Sequence, residues 1–187
     1  LEEYCHYVAG TVGEMLTGVF SEHEQMPEQL EGNYEDFGQF LQTINIVKDP
    51  VEDLEEESAI FIPEQVLEED QSHDDLARAL RNQESGPVTG AVEKLLDRAK
   101  RRSEGASSYI ENIPEYSQIR GYLEVLFLLA KTTMRKGREE TEKVMDGELS
   151  IEGEEAMEII RQAGDTEFEE LDRIVEERPL NTVEQQK

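Results

Sequence analysis

Apolar residues recur at three- and four-residue steps in block after block of this chain, and no two-residue alternation is sustained anywhere. That pattern points to amphipathic helices rather than half-buried strands, so the class expected is all-α. Tyr4, Val8, Val12, Met15, Val19 and Phe20 keep the period and predict a helix over residues 2–20, followed by a polar loop from Ser21 to Asn33. Phe37, Phe40, Leu41, Ile44 and Val47 resume it as far as Pro50. Proline has no N–H to give a helix and biases Asp49 away from helical backbone, so a kink or a helix end is expected there.

Further along, Ser58 to Leu67 reads as a strand-like or loop connection, with a short helix opening at Pro63. Ser72 to Arg81 adds a turn or two, and Ser85-Gly86-Pro87 signals the start of a long helix through Lys100 that continues with Tyr109 and Ile110. Asn112-Ile113-Pro114 interrupts it, and a helix from Tyr116 to Val144 follows. Its most apolar run, Tyr122 to Ala130, is well short of the roughly 20 residues needed to span a bilayer and contains Glu124, so it reads as a buried helix. Ser150 and Thr166 have the chemistry of N-caps for two terminal amphipathic helices, the second with Glu169 as a capping-box partner. The expected organisation is a catalytic part over residues 1–150, terminal helices over 151–178 and a disordered tail over 179–187.

At 187 residues the chain is one domain, or part of one. Asp and Glu number 45 against 18 Lys and Arg, a net charge of −27 that repels nucleic-acid phosphates and anionic lipid headgroups alike. The acids are dispersed over nearly every segment instead of gathered in one tail, which implies an acidic surface and a saline, cytoplasmic setting. Cys5 is the single cysteine, so the chain holds no internal disulfide. Leu1-Glu2-Glu3-Tyr4 has neither a basic n-region nor an initiator Met, so an upstream segment is expected.

Two stretches carry the chemistry. Asp49, Glu52 and Asp53 stand at i, i+3 and i+4, and the same helical face extended backwards reaches Asn45 and Gln42. Clustered carboxylates repel unless a cation offsets them; Mg2+ takes one or two carboxylates and keeps waters or substrate phosphates as its other ligands. The stripe therefore reads either as a metal-diphosphate face or, in so acidic a chain, as a solvated one. In the first stretch, Ala9, Gly10 and Gly13, with Thr17 a turn on, form a small-residue flank suited to a bulky apolar ligand or to close helix packing. Cys5 and His6 are adjacent and make no zinc pair.

Together, Tyr4-Cys-His-Tyr-Val-Ala-Gly-Thr-Val-Gly13 and Phe40-Leu-Gln-Thr-Ile-Asn-Ile-Val-Lys-Asp-Pro-Val-Glu-Asp53 resemble the squalene/phytoene synthase family in order and spacing, matching its C-terminal half. The resemblance implies an all-α isoprenoid-synthase-like helical bundle, incomplete here, in which two Asp-rich motifs bind two prenyl diphosphates through Mg2+. Asp49, Glu52 and Asp53 match the second motif and thus the metal ligands, while Tyr4 matches a catalytic tyrosine. Gln42, Asn45 and Lys48 fall at cavity and diphosphate-side positions, and Val8, Ala9 and Val12 along the prenyl channel. The implied reaction is head-to-head condensation of two farnesyl diphosphates through a cyclopropyl diphosphate, reduced with NADPH to squalene. Condensation of geranylgeranyl diphosphate without reductant, as in phytoene synthases, is the near alternative, and a non-catalytic acidic helical subunit that binds prenyl lipid or a partner chain is the distant one. The first Asp-rich motif is expected upstream, in a missing N-terminal part of the same enzyme, so the chain is not expected to be active alone. No membrane anchor is expected, and the enzyme is placed in the cytoplasm or peripherally at the membrane.

The charge excess has a direct consequence. At 1 M salt the Debye length falls to about 3 Å, so self-repulsion is screened. Helical circular dichroism and the thermal midpoint of the chain are expected to rise from low salt to molar KCl, and a fall or a flat response removes the saline setting.

Overall fold

The computed structural model describes residues 33–163 and 165–180. Its order is α1 (Tyr34–Lys48), α2 (Pro50–Glu56), a 3-10 turn (Glu64–Val66), α3 (His73–Asn82), α4 (Ser85–Glu111), α5 (Gln118–Glu139), α6 (Thr141–Met145), α7 (Gly153–Gln162) and α8 (Phe168–Glu177). Apart from a bridge between Ala163 and Thr166, no strand occurs among the described residues, in keeping with the all-α expectation. The helix expected over residues 2–20 lies outside them, as does nearly all of the following loop.

The core is built around α1 and α4. Phe37, Phe40, Ile44 and Val47 form the buried face of α1, and Val88, Val92, Leu95, Leu96, Ala99 and Ala106 the facing stripe of α4. α1 runs along α4, and α5 packs on both. α1 crowds α4 at Gly105, where an added Cβ would lie 2.9 Å from the Cβ of Asp36. Arg102, one turn back, reaches the same Asp36 at 2.5 Å, so the bare backbone of Gly105 admits the carboxylate that the guanidinium then holds. Phe40, Phe127 and Phe168 form a chain of tilted rings with centroids 5.3 and 5.5 Å apart, which joins α1, α5 and α8.

α8 also brings charge into the interior. Lys131 of α5 is buried, with its ammonium 5.6 Å from the centroid of the Phe127 ring, and is bonded to Asp172 and, at 2.8 Å, to Glu176. Lys100 of α4 reaches Glu176 at 3.0 Å. Hydrogen bonds from Lys131 and then from Lys100 hold the Glu176 carboxyl below the usual carboxylate range. A buried ammonium is costly unless paired, so α8 is integral to the core.

Several boundaries differ from the sequence expectations. α4 continues to Glu111 as expected, whereas α3 is a ten-residue helix rather than a turn or two. The helix expected to reach Val144 ends at Glu139, because Glu140 leaves helical backbone and the Thr141 hydroxyl donates to the Gly137 carbonyl at 3.0 Å. Pro63 precedes the 3-10 turn instead of opening a helix. Ser150 and Thr166 do not cap α7 and α8. Glu152 and Glu167 occupy those positions without side-chain caps, and Thr166 is engaged in the preceding turn through its N–H to the Gln162 carbonyl at 3.0 Å. First-turn Glu154, Glu155, Glu169 and Glu170 complement the helix dipoles instead. The tail expected to be disordered from 179 begins with a packed residue: Leu180 is buried and its N–H donates to Glu155 Oε1 at 3.2 Å.

Gly105→Ala is expected to force α1 from α4 and to destabilise the chain by about 1–3 kcal/mol, the usual cost of overpacking. Urea unfolding followed by circular dichroism checks it, and an unchanged midpoint would show that the contact yields.

Candidate active site

α1 buries one face and leaves the other open. Gln42 is half-buried and Asn45 and Lys48 are exposed, so the polar stripe expected from sequence stands on a helix face the described core does not cover. At the end of that face Pro50 has no N–H to return to the Ile46 carbonyl, and Asp49 takes φ −116° and ψ 29°. The chain nonetheless continues in nearly the same direction of bonding: the Asp49 N–H donates to the Asn45 carbonyl at 3.1 Å, and the Asp53 N–H to the Asp49 carbonyl at 2.9 Å. Pro50 becomes the first residue of α2, a position where its missing N–H costs nothing.

The carboxylates come together around Asp53. Its carboxyl is pushed above the usual carboxylate range, first by burial and then by the negative charges of Asp49, Glu57 and Glu52 in that order. The proline break therefore leaves Asp49 within electrostatic reach of Asp53. Lys48 Nζ donates to Asp49 Oδ1 at 2.8 Å and is the cation paired at the edge of the cluster. Glu57 was not singled out in the sequence reading, although it continues the face at i+4 from Asp53.

Other acids of the fold are treated differently. Glu124 is buried with Arg120 at 2.8 Å, and Glu155 with Arg135 at 2.7 Å. Glu158 is held down at about 2 by hydrogen bonds from Arg161 and then Gln162. In each case a donor offsets the charge, whereas at Asp53 the surrounding charges raise its cost. These acids are partnered, within a helix or between two; the α2 group sets like charges against one another, a condition that a cation relieves.

Among the described residues no group of three or more His, Cys, Asp or Glu side chains is arranged to enclose a metal ion. The donor chemistry still fits Mg2+ bound from one side: one or two carboxylates among Asp49, Glu52 and Asp53 supply hard oxygens, and the remaining positions are left to water and substrate phosphate. Tyr4, Val8, Ala9 and Val12, expected at the reaction centre and along the prenyl channel, lie outside the described residues. No described helix is long and apolar enough to cross a membrane.

The sequence profile of the squalene/phytoene synthase family matches residues 1–154. Squalene synthase R6 of Phoma sp. is 34% identical over 119 residues, which is 62% of this chain and 28% of that protein. Squalene synthase clz20 of Cochliobolus lunatus is 48% identical over 58 residues, covering 29% of this chain and 14% of its own length. The squalene synthase of Nicotiana benthamiana is 35% identical over 89 residues, covering 43% and 22%. The chain thus spans less than a third of the length of these relatives. No solved structure matches it significantly. With the profile covering the stretch that contains both the stripe on α1 and the carboxylates of α2, the chain belongs to the squalene/phytoene synthase family.

Proposed function

We propose that the chain is the C-terminal part of a squalene-synthase-like prenyltransferase that condenses two farnesyl diphosphates head to head. The observation that carries this reading is the run of like charges Asp49, Glu52 and Asp53 at the end of an uncovered polar helix face, within the family-matched stretch. Mg2+, when bound, would offset the charge of a departing diphosphate.

The residues of the chain have separate tasks. Asp49, Glu52 and Asp53 hold the metal from one side, and Lys48, which neutralises Asp49 in the structure, can instead turn its ammonium to a diphosphate oxygen. Asn45 and Gln42 offer amides along the same face to orient the substrate head. Tyr4 stabilises cationic character through its ring or moves a proton through its hydroxyl. Val8, Ala9 and Val12 line the route of the prenyl chain. Loss of diphosphate would lead through a cyclopropyl diphosphate towards squalene.

NADPH belongs to the proposal through the resemblance alone. Glu55, Glu56 and Glu57, just after the metal-side carboxylates, are exposed and would repel a dinucleotide's phosphates, so this segment does not fit as its cradle and no hydride step is assigned to a residue here. Condensation of geranylgeranyl diphosphate without reductant is the alternative that this acidic segment favours, and product analysis with and without NADPH separates the two. A non-catalytic prenyl-lipid-binding or partner-binding subunit would show neither product. The setting we infer is a saline cytoplasm, with the enzyme free or peripheral at the membrane. Because two diphosphates call for two metal-binding faces and the described residues present one carboxylate cluster of this kind, activity is expected from the complete enzyme and not from residues 1–187 alone.

Asp53→Asn tests the reading in two directions. In the complete enzyme with saturating Mg2+, turnover is expected to fall on the order of a thousandfold, as losing a metal-diphosphate contact can cost several kcal/mol in the transition state. In the same variant the thermal midpoint is expected to rise, since burial and the three neighbouring charges disfavour the Asp53 carboxylate, and its cost to folding is present once the pH exceeds its raised value. Wild-type turnover would return the cluster to an ordinary solvated face; a lowered midpoint would show that Asp53 supports the fold.

A further inference from the structure

Residues 57–72 connect the carboxylate helix to α3 with a single 3-10 turn, yet the connection is tied down at both ends. At the near end, Ser58 adopts a left-handed φ of 55°, a conformation disfavoured for a non-glycine residue. It is held there by the Asp53 carbonyl, which accepts from the N–H of Glu57 at 3.0 Å and of Ala59 at 3.3 Å. The start of the segment is thereby bonded to the backbone of the residue at the centre of the carboxylate cluster.

At the far end stands His73, the first residue of α3. Ser72 and Asp75 form a reciprocal capping box, with the Asp75 N–H donating to Ser72 Oγ at 3.3 Å and the Ser72 N–H to Asp75 Oδ2 at 3.1 Å, and this fixes the helix start that carries the imidazole. His73 Nε2 lies 2.7 Å from the Ile62 carbonyl. A carbonyl only accepts, so Nε2 carries the proton. Nδ1 lies 4.0 Å from Glu64 Oε1, beyond hydrogen-bond reach. Between the two ties, Ile62 is buried, and Ile60 and Phe61 are half-buried against the core. Together with Pro63 and His73 they line a cavity of about 330 Å3.

We propose that His73 is a positioning residue: its Nε2–H bond to the Ile62 carbonyl holds Ile60 and Phe61 as a fixed apolar wall beyond the carboxylate helix, shielding reacting prenyl chains from water. The proposal rests on the prenyl-transfer reading above. If the wall loosens, water reaches the allylic cation left by diphosphate departure. The water oxygen then bonds to the cationic carbon, a proton passes to solvent, and an alcohol forms in place of a hydrocarbon. The imidazole thus satisfies the Ile62 carbonyl.

The test uses the complete enzyme with farnesyl diphosphate, Mg2+ and NADPH, comparing wild type, His73→Ala and His73→Gln. Three quantities are read: diphosphate release, the ratio of prenyl alcohol to hydrocarbon, and hydrogen exchange of the amides at 59–62. His73→Ala is expected to raise the alcohol fraction and the exchange rates about tenfold while diphosphate release stays within twofold. His73→Gln, whose amide can still donate to Ile62, is expected to restore both, and it remains decisive if His73→Ala folds poorly. A wild-type alcohol fraction and wild-type exchange in His73→Ala overturn the proposal, as does a folded His73→Gln that behaves like His73→Ala. If the wild-type enzyme forms neither alcohol nor hydrocarbon, the prenyl-transfer reading has failed and the water-shielding role with it. The exchange comparison then still shows whether the imidazole holds the segment.

Discussion

The contact on which the rest depends is the one between α1 and α4 at Gly105. A helix that presents polar groups on its outer face can serve as a platform only if its inner face cannot roll, and rolling is what Phe37, Phe40, Ile44 and Val47 prevent by packing against the α4 stripe. Gly105 leaves room for the Asp36 side chain against α4, and Arg102 ties that carboxylate there. The orientation of Gln42 and Asn45, and the direction in which the chain arrives at Asp49, follow from that contact. The placement of the polar face is thus set by interior packing several turns away from the carboxylates.

Acidic residues in this chain do two kinds of work. Glu124, Glu155, Glu158 and Glu176 are countered by arginine or lysine, Glu124 and Glu158 within their own helices and Glu155 and Glu176 across to α5, with Glu176 helping to compensate the buried Lys131. Around Asp53 the neighbours are Asp49, Glu52 and Glu57, and no such compensation is built in beyond the bond from Lys48 to Asp49. Net charge alone does not separate these roles, since both groups contribute equally to the total of −27. The partners do.

What could be read from the sequence was whatever repeats along a helix. The period of α1, the stop at Pro50 and the start at Ser85 all follow from local chemistry, whereas the single helical face expected for Asp49, Glu52 and Asp53 is interrupted at Asp49, which leaves helical backbone between α1 and α2. Capping was less legible. Ser150 and Thr166 have suitable hydroxyls, but the dipoles of α7 and α8 are met by glutamates, while the box that does form, Ser72 with Asp75, uses the shorter acid. His73 carries no local signal at all, because its partner is a backbone carbonyl on the far side of the 3-10 turn, brought near by the burial of Ile62 and Val66. Lys131 is similar: its counter-charges come from α8, beyond the family-matched stretch.

The ring chain of Phe40, Phe127 and Phe168 has a consequence for how the protein comes into being. Its members come from α1, α5 and α8, so among the described helices the ring chain is completed only when the last of them has been made. On the ribosome, α1, α4 and α5 can associate while Phe127 still has one open edge and the Lys131 ammonium has neither Asp172 nor Glu176 beside it. An ammonium in that position resists dehydration, which keeps the half-made core wet until α8 leaves the exit tunnel. Closure of the described core around α1 and α5 thus waits on α8, a helix that contributes no side chain to the carboxylate group of α2.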